Sequence, residues 1–254
     1  MFGLSRRLSM IERIKSLTDR IPGLRRLFPS YIGDGMQLIG KSLAWAKDAD
    51  FARAYAAGMA TGHRFGNIRI DWRAHVACWA ASHARRLAGD FVECGVNTGI
   101  LSVAVCTYLD FNNLDKDFWL FDTFEGSPVE QMSPGEMTPR VRENARWYGD
   151  CYDLARRNFA PWPRARLVRG RVPETLAEGP ERVCYLSIDM NLVEPEIAAI
   201  EHFWPRLSSG APIILDDYGR THFALQREAM DRFARRERVS ILTLPTGQGL
   251  LLKP

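Results

Sequence analysis

The chain has 254 residues, 46% hydrophobic and 25% charged, as expected for an ordinary globular protein of one large α/β domain with an addition. No segment approaches the roughly 20 apolar residues of a transmembrane helix, which excludes a membrane span. The formal charge of +4 arises at the start of the chain, where residues 1–30 hold seven basic and two acidic residues. The remainder is close to neutral, so we exclude nucleic acid as a partner.

Residues 1–30 are predicted to be a basic leader. Their pattern fits an amphipathic helix that rests on a membrane surface or a partner, and it also fits a solvated, loosely docked segment. We favour the second description. The leader lacks the apolar core and the small-residue cleavage site of a signal peptide.

The five cysteines are widely spaced and contain no C-x-x-C pair. This spacing favours free thiols in a reducing compartment over a disulfide framework or a zinc site. We therefore predict a cytoplasmic protein. We also expect a homodimer.

Residues 31–88 are predicted to form a helical extension that packs on the core, with helical stretches at 40–55 and 71–88. In the second stretch several apolar residues lie at the spacing of one buried helix face. They are Trp72, Val76, Trp79 and Ala80.

From residue 89 onward, predicted strands alternate with predicted helices. The strands are 91–94, 118–121, 165–169, 183–188 and 213–215, and the helices are 100–109, 151–159, 195–207 and about 223–236. This alternation predicts a parallel sheet covered on both faces. Residues 239–244 and 249–252 are joined by too short a connection for a crossover, so they must pair antiparallel.

The predicted fold class is therefore α/β: a doubly wound, mostly parallel seven-stranded sheet that ends in an antiparallel hairpin, preceded by N-terminal helices. Residues 89–254 would be the ligand-binding domain. Residues 127–150 are rich in proline, glycine, methionine and charge, and we predict that they form an inserted lid.

A glycine turn lies between the first of these strands and the helix that follows it, with the pattern Glu93-x-Gly95-x-Asn97-x-Gly99. Glycine permits close approach of the backbone to a ligand, and a helix start offers free N–H groups. Asn97 replaces the middle glycine of a dinucleotide fingerprint, and the Glu93 carboxylate suits a cation better than a phosphate. S-adenosylmethionine is such a cation. The alternative is a turn that only packs helix against strand.

Asp122 ends the next strand, where an acid accepts hydrogen bonds from ribose hydroxyls in nucleotide-binding α/β folds. The alternative role is a helix N-cap. The full set of predicted cofactor contacts is Glu93, Gly95, Asn97, Gly99, Asp122, Thr123 and Gly170.

Three aspartates end the last two parallel strands: Asp189 ends one, and Asp216 and Asp217 end the other. The right-handed crossover rule places all three at one edge of the sheet. Because uncompensated burial of three carboxylates is costly, a hard cation such as Mg²⁺ is one explanation. It requires that the strand has turned before Asp217. The alternative is that one aspartate caps a helix and another binds an arginine or a lysine.

These motifs together resemble the TylF-type macrocin O-methyltransferase family of class I S-adenosylmethionine-dependent enzymes, from about residue 71 to the end of the chain. The most specific segments are GDFVECGV at 89–96, FDTFEGSP at 121–128, LDDY at 215–218 and LPTGQG at 244–249. The resemblance implies Mg²⁺-dependent methyl transfer to a hydroxyl, often of a sugar or natural product. It also implies that Asp189, Asp216 and Asp217 bind the metal and that Glu93, Gly95 and Asp122 contact the cofactor.

One departure from the family pattern concerns the base. Where the family often has Ile-Asp-x-Asp-Leu-Tyr, this chain has Asn191 in place of the second acid. An amide cannot accept a proton, so the general base would instead be Asp189, His222 or a metal-bound hydroxide. An ordinary surface histidine is the alternative identity of His222.

The predicted function is O-methylation of a sugar, glycan or natural-product hydroxyl. One alternative is a nucleotide-dependent oxidoreductase, which the missing glycine and the terminal hairpin disfavour. The other is a non-catalytic scaffold that binds partners, which would have no use for three clustered carboxylates.

Overall fold

The structure is a computed structural model that describes residues 29–254. The predicted basic leader, apart from its last two residues, lies outside the described residues. No helix within 29–254 is long and apolar enough to cross a bilayer. The five cysteines are free thiols.

The described chain forms nine strands and seven α-helices. The strands are β1 (Pro29–Gly33), β2 (Met36–Ile39), β3 (Asp90–Cys94), β4 (Phe118–Asp122), β5 (Ala165–Arg169), β6 (Val183–Ile188), β7 (Pro212–Leu215), β8 (Leu242–Thr243) and β9 (Gly249–Leu252). The helices are α1 (Ala49–Met59), α2 (Asp71–Ala84), α3 (Ile100–Leu109), α4 (Pro134–Trp147), α5 (Tyr152–Phe159), α6 (Val193–Phe203) and α7 (Ala224–Glu237).

Seven strands form the central sheet in the order β5-β4-β3-β6-β7-β9-β8. The first five strands in this order are parallel to one another, whereas β9 pairs antiparallel with both β7 and β8. This arrangement confirms the predicted fold class. From β3 the chain first adds β4 and β5 on one side of that strand, and then adds β6 and β7 on its other side. Folds with this change of direction bind ligands in the crevice at the carboxyl ends of the two strands where it occurs, here β3 and β6.

Helices cover both faces of the sheet, as alternating buried side chains require. Helices α2, α3 and α5 pack on one face around residues such as Phe91 and Phe118. Helices α6 and α7 pack on the other face around Phe121 and Leu186. Each such side chain stabilises the fold by about 1.5–3 kcal/mol.

The N-terminal part contains a β-hairpin that the sequence analysis assigned to a helical extension. Strands β1 and β2 pair antiparallel, and both turn residues, Asp34 and Gly35, have positive φ angles of 48° and 73°. Asp-Gly is a strong hairpin signal, since the turn that matches strand twist needs two positive φ angles. The hairpin is anchored by Tyr31, which is buried and donates its hydroxyl hydrogen to Asp71 at 2.5 Å.

The buried face of α2 differs from the prediction. Trp79 is 49% exposed, and Trp72 and Val76 are only partly buried. The buried face is instead a stripe of small residues, most of them alanines, with Asp71 and Arg73 near its start. Small side chains let α2 lie close to the sheet, and they leave Arg73 pointing into the interior.

Helix α4 occupies most of the segment predicted as a lid. It begins with a capping box, which satisfies backbone N–H groups of its first turn. Its Glu136 carboxylate accepts the N–H of Val193 at 2.8 Å, at the start of α6. The Arg140 guanidinium stacks over Phe223 at 4.1 Å, ahead of α7. The segment is therefore a helix held across the carboxyl edge of the sheet.

Candidate functional site

A cavity of about 550 Å³ opens at the carboxyl edge of the sheet, between the segments that follow β3, β4, β6 and β7 and helix α4. Its volume is within the range of small-molecule sites. Most of the predicted site residues line it. They are Glu93, Gly95, Asn97, Asp122, Thr123, Gly170, Asp189, Asp216 and Asp217.

Gly95 is required by a close contact between two strand ends. Its φ is +93°, and a Cβ there would lie 1.9 Å from the carbonyl oxygen of Asp189. The Gly95 N–H donates to the Phe121 carbonyl, and the Asp189 N–H donates to the Cys94 carbonyl, both at 2.8 Å. The missing side chain therefore lets the turn after β3 lie against the end of β6.

Two predicted site residues, Gly99 and His222, lie outside the cavity lining. Gly99 is the N-cap of α3 with φ +94°, and a Cβ there would lie 2.6 Å from Phe159. Glycine is therefore needed at position 99 to begin the helix and to leave room for Phe159. The side chain of His222 is exposed, in the single turn ahead of α7, and its role as a base stays a prediction.

Asp122 organises the glycine turn. Its Oδ2 accepts the N–H groups of Val96 at 2.6 Å and Asn97 at 2.7 Å, and its Oδ1 accepts the N–H of Phe124 at 2.6 Å. Hydrogen bonds to an ionised acceptor are roughly twice as strong as neutral ones. The carboxylate therefore positions the backbone of the turn, and the predicted bond from Asp122 to a ribose stays a prediction.

The turn presents two buried polar atoms that have no partner among residues 29–254. One is Oε2 of Glu93, whose Oε1 accepts the Ser102 hydroxyl at 3.0 Å. The other is Nδ2 of Asn97. An unsatisfied buried polar group costs about 1–3 kcal/mol, which a ligand with matching groups would recover. Burial raises the pKa of Glu93 to about 8, and a nearby cation would favour its ionised form.

The carboxylates at the ends of β6 and β7 surround a buried arginine. Strand β7 ends at Leu215 and the chain then turns, so Asp216 and Asp217 can reach the same group. That group is Arg73 of α2. Its Nη1 pairs with Asp216 Oδ2 and lies 3.7 Å from Asp217 Oδ1, while its Nε donates to Asp34 Oδ2 at 2.7 Å.

The other oxygen of Asp216 is bound by the terminal hairpin. Gln248, which is fully buried, donates its Nε2 hydrogen to Asp216 Oδ1 at 2.9 Å. The Thr246 hydroxyl is 3.0 Å from Gln248 Oε1 and fixes that amide. The segment 244–249 therefore contributes to the site, through a contact that the sequence motif alone did not indicate.

Within the described chain, Asp189 makes one side-chain hydrogen bond, to the residue two positions further along. Its Oδ1 accepts Nδ2 of Asn191 at 3.3 Å. Burial, together with Asp216 and Asp217, raises the pKa of Asp189 well above its usual range. Burial and Asp216 raise the pKa of Asp217 to about 7. The surroundings of both carboxyl groups therefore favour their protonated forms, in spite of the nearby Arg73.

The three aspartates do not fit the magnesium site that the family resemblance implies. Mg²⁺ takes carboxylate oxygens and waters as ligands, but Arg73 and Gln248 engage both oxygens of Asp216. Across residues 29–254, no group of three or more His, Cys, Asp and Glu side chains is arranged to hold a metal ion. The arrangement matches the other alternative drawn from the sequence, an aspartate that binds an arginine.

Aromatic side chains form one wall of the cavity. The ring of Phe65 lies 5.8 Å from that of Trp147 and 5.9 Å from that of Tyr148, between centroids. Trp147 and Tyr148 lie near the end of the segment predicted as a lid. Phe65, which lies between α1 and α2, was not predicted because no local pattern marks it.

Several solved structures with a similar fold are described as methyltransferases. The O-methyltransferase NovP superposes with a TM-score of 0.62 at 21% identity, over 71% of this chain and 79% of its own. The calicheamicin methyltransferase CalS11 gives a TM-score of 0.53 at 18% identity, over 88% and 99%. A Podospora anserina methyltransferase solved with SAH gives 0.50 at 14% identity, over 100% and 99%. The fold is that of class I methyltransferases.

The macrocin O-methyltransferase (TylF) family model matches residues 53–242. The chain therefore belongs to this family, which confirms the resemblance drawn from its motifs.

Curated relatives are O-methyltransferases of actinomycetes. The 8-demethyl-8-(2,3-dimethoxy-alpha-L-rhamnosyl)-tetracenomycin-C 4'-O-methyltransferase of Streptomyces olivaceus is 29% identical over 138 residues, 51% of this chain and 53% of that protein. The mycinamicin III 3''-O-methyltransferase of Micromonospora griseorubida is 27% identical over 142 residues, 51% and 55%. The alignments span about half the length of each relative.

Proposed function

We propose that this protein is an S-adenosylmethionine-dependent O-methyltransferase that methylates a hydroxyl of a sugar, glycan or natural product. The observation that carries the proposal is the carboxyl of Glu93, a cavity-lining residue that is buried at the glycine turn and has one oxygen without a partner among residues 29–254. A buried carboxyl with a free oxygen suits a cationic hydrogen-bond donor. A pyrophosphate would be repelled there.

The residues present fit S-adenosylmethionine. Glu93 would take the ammonium group, and the free Nδ2 of Asn97 would donate to an acceptor atom of the ligand. Asp122 would keep the intervening backbone in place, while Thr123 and Gly170 would line the adjoining wall. When bound, the cofactor supplies an electrophilic methyl group for an acceptor oxygen.

The acceptor would lie against the aromatic wall. Aromatic faces pack well against the apolar surfaces of sugar rings and of polycyclic compounds. The names of two relatives describe O-methylation of a rhamnosyl tetracenomycin and of mycinamicin III. Together with the family membership, these names support a glycosylated or natural-product acceptor.

The acceptor's proton would pass to the pair formed by Asp189 and Asp217. Both line the cavity, and the pKa of Asp217 is raised to about 7, which suits a general base near neutral pH. Asn191 would orient Asp189 through its amide. Magnesium dependence, expected from the resemblance, has no support from the bonds that Asp216 makes, and no step of the proposal uses a metal.

The test is transfer of a radiolabelled methyl group from S-adenosylmethionine to a panel of desmethyl glycosides and natural products. We expect label on a hydroxyl oxygen, with turnover lost in Asp189→Asn and retained in Asp153→Asn, which changes an aspartate 78% exposed. Binding of S-adenosylmethionine should survive in both variants.

Two results would favour the alternatives. Binding of NAD in place of S-adenosylmethionine would contradict the proposal and favour an oxidoreductase. Binding of S-adenosylmethionine without transfer to any acceptor of a broad screen would favour a scaffold. The cytoplasmic homodimer and the role of the basic leader stay predictions, with the free thiols in keeping with a reducing compartment.

A further inference from the structure

We propose that the guanidinium of Arg73 takes the place of a divalent cation in this site, where it holds Asp216 and Asp217 and presents its free Nη2 group to the acceptor oxygen. The statement about the acceptor rests on the proposed function. The statement about the cation does not, because it follows from the contacts of Arg73 alone.

The first support is the set of bonds that the guanidinium makes. Arg73 is 5% exposed, and its Nη1 and Nε reach carboxylates from two distant parts of the chain. Nη1 pairs with Asp216 after β7, and Nε donates to Asp34 in the β1–β2 turn. Guanidinium is the cation best suited to several carboxylates at once, because its donors are fixed in one plane.

The second support is that the Asp216 oxygens that a metal ion would need already have hydrogen-bond partners. Asp216 offers no oxygen that lacks a partner, since Arg73 binds one and Gln248 binds the other. A metal ion would have to displace a charged guanidinium that three carboxylates attract. Burial alone lowers the pKa of Arg73, but Asp216, Asp217 and Asp34 reverse this effect and raise it, so the group stays charged.

The third support is the unused end of the guanidinium. Nη2 of Arg73 is buried and has no partner among residues 29–254, although the residue lines the cavity. Arginine carries five N–H donors, so an unpaired terminal nitrogen leaves two hydrogens for a ligand. An acceptor oxygen that received them would lie beside a positive charge. This would favour its deprotonated form, as a bound metal does in other enzymes.

The other two arginines of the cavity differ from Arg73. The side chain of Arg69 is 49% exposed and pairs with Asp71, and that of Arg220 is 43% exposed. Solvent can satisfy and screen both groups. Arg73 alone among these three combines burial, contact with Asp216 and a free donor.

The cation statement is tested with Mn²⁺ alone, by following free Mn²⁺ with electron paramagnetic resonance during titration of the full chain. We expect the wild type to bind no more Mn²⁺ than Asp216→Asn does. Arg73→Ala should gain a site at least about tenfold tighter, and adding Asp216→Asn should abolish it. Binding in the wild type that disappears in Asp216→Asn would overturn the proposal. So would a folded Arg73→Ala variant that gains no site.

If Arg73→Ala does not fold, the wild type and Asp216→Asn still decide. Titration of the same samples with S-adenosylmethionine separates this inference from the proposed function. A wild type that binds S-adenosylmethionine and also binds Mn²⁺ through Asp216 contradicts only the inference. A wild type that binds no S-adenosylmethionine contradicts only the proposed function and the acceptor statement that rests on it.

The acceptor statement is tested with Arg73→Lys, which keeps the charge and loses the fork of N–H donors. We expect the KM for the acceptor to rise about tenfold or more, as for loss of a hydrogen bond to a charged group, with S-adenosylmethionine affinity unchanged. Arg53→Lys, at an arginine that is 52% exposed and does not line the cavity, should leave both values near those of the wild type. An unchanged acceptor KM in Arg73→Lys would overturn this statement.

Discussion

The two carboxylate sites at the edge of the sheet are satisfied in different ways. At the glycine turn, Asp122 accepts backbone N–H groups that the turn itself provides. At the ends of β6 and β7, Asp216 depends on side chains from distant elements, Arg73 of α2 and Gln248 of β8–β9. The first site is therefore held by local geometry, and the second by long-range pairing of charges.

The difference fixes what each site can offer a ligand. Among the described side chains, one carboxylate oxygen and one amide nitrogen of the turn are buried without a partner, and this pair would suit a ligand with a cationic donor and an acceptor. Burial and the neighbouring carboxylates raise the pKa of Asp189 and Asp217, and under the proposed function these two groups would take the proton of the acceptor. Cofactor binding and proton transfer would thus be divided between two regions with different physical requirements.

The largest effect is expected where the two regions touch. Gly95→Ala would place a Cβ 1.9 Å from the Asp189 carbonyl at a φ of +93°, so we expect a loss of more than about 4 kcal/mol of unfolding free energy or failure to fold. Gly35→Ala is the matched control, since Gly35 also has positive φ (+73°) and nothing lies within 4 Å of its Cβ position. It should cost about 1–2 kcal/mol. Equal losses in chemical denaturation would contradict the close contact.

The next largest effect concerns the charged region. Asp216→Ala removes the main partner of a buried arginine, so we expect a loss of about 3 kcal/mol of unfolding free energy. Asp115→Ala removes an aspartate that is 96% exposed and paired with Arg164, and it should cost under about 1 kcal/mol. Urea denaturation of both variants measures the difference. A cost as small for Asp216 as for Asp115 would show that Arg73 does not depend on it.

A smaller effect, on pH dependence, separates the turn from the aspartate cluster. Glu93 has a pKa of about 8 when folded, above the value of 4.5 for an exposed glutamate. The folded protein thus holds a proton that the unfolded chain releases. Its contribution to stability is greatest below pH 4.5 and is lost as the pH rises to about 8.

As the pH rises through this window, the unfolding free energy of Glu93→Gln should fall less steeply than that of the wild type. The difference in slope should correspond to one bound proton. Affinity for S-adenosylmethionine should fall by about tenfold or more, because a charge-assisted hydrogen bond is lost. Glu125→Gln, at a glutamate 60% exposed, is the control and should behave as the wild type does. An unchanged pH slope in Glu93→Gln would place the proton on another group.

The smallest effect is expected outside both regions. The His222 side chain is exposed and does not line the cavity, so His222→Ala should change kcat less than about twofold. A loss of two or more orders of magnitude would restore it as the base and contradict the assignment to Asp189 and Asp217.

The sequence predicted the features that depend on neighbours in the chain. Helix α3 and strands β5, β6 and β9 have the predicted bounds, because period, glycine turns and short apolar runs mark them locally. The aspartates were placed at one edge by the topology of parallel strands alone. The segment 127–150 was predicted as a lid, but the helix within it was not, because the sequence analysis considered the prolines and charges of the segment and did not use its capping box.

The partners that complete the site could not be predicted in the same way. Arg73 lies on the alanine stripe of α2, and a charged residue on such a stripe indicates a buried charge that needs a partner. No local pattern identifies that partner as Asp216, which is 143 residues away in the chain. The hairpin that supplies Asp34 had an Asp-Gly turn as its signal, and the sequence analysis did not use it. Gln248 was part of a recognised motif without an assigned role.

The most direct test of the central claim is calorimetric titration of the full chain with S-adenosylmethionine and, separately, with NAD. The structure of the turn predicts saturable binding of one S-adenosylmethionine, weakened in Glu93→Gln, and no binding of NAD. Binding of NAD, or binding of S-adenosylmethionine that is indifferent to Glu93, would contradict the account.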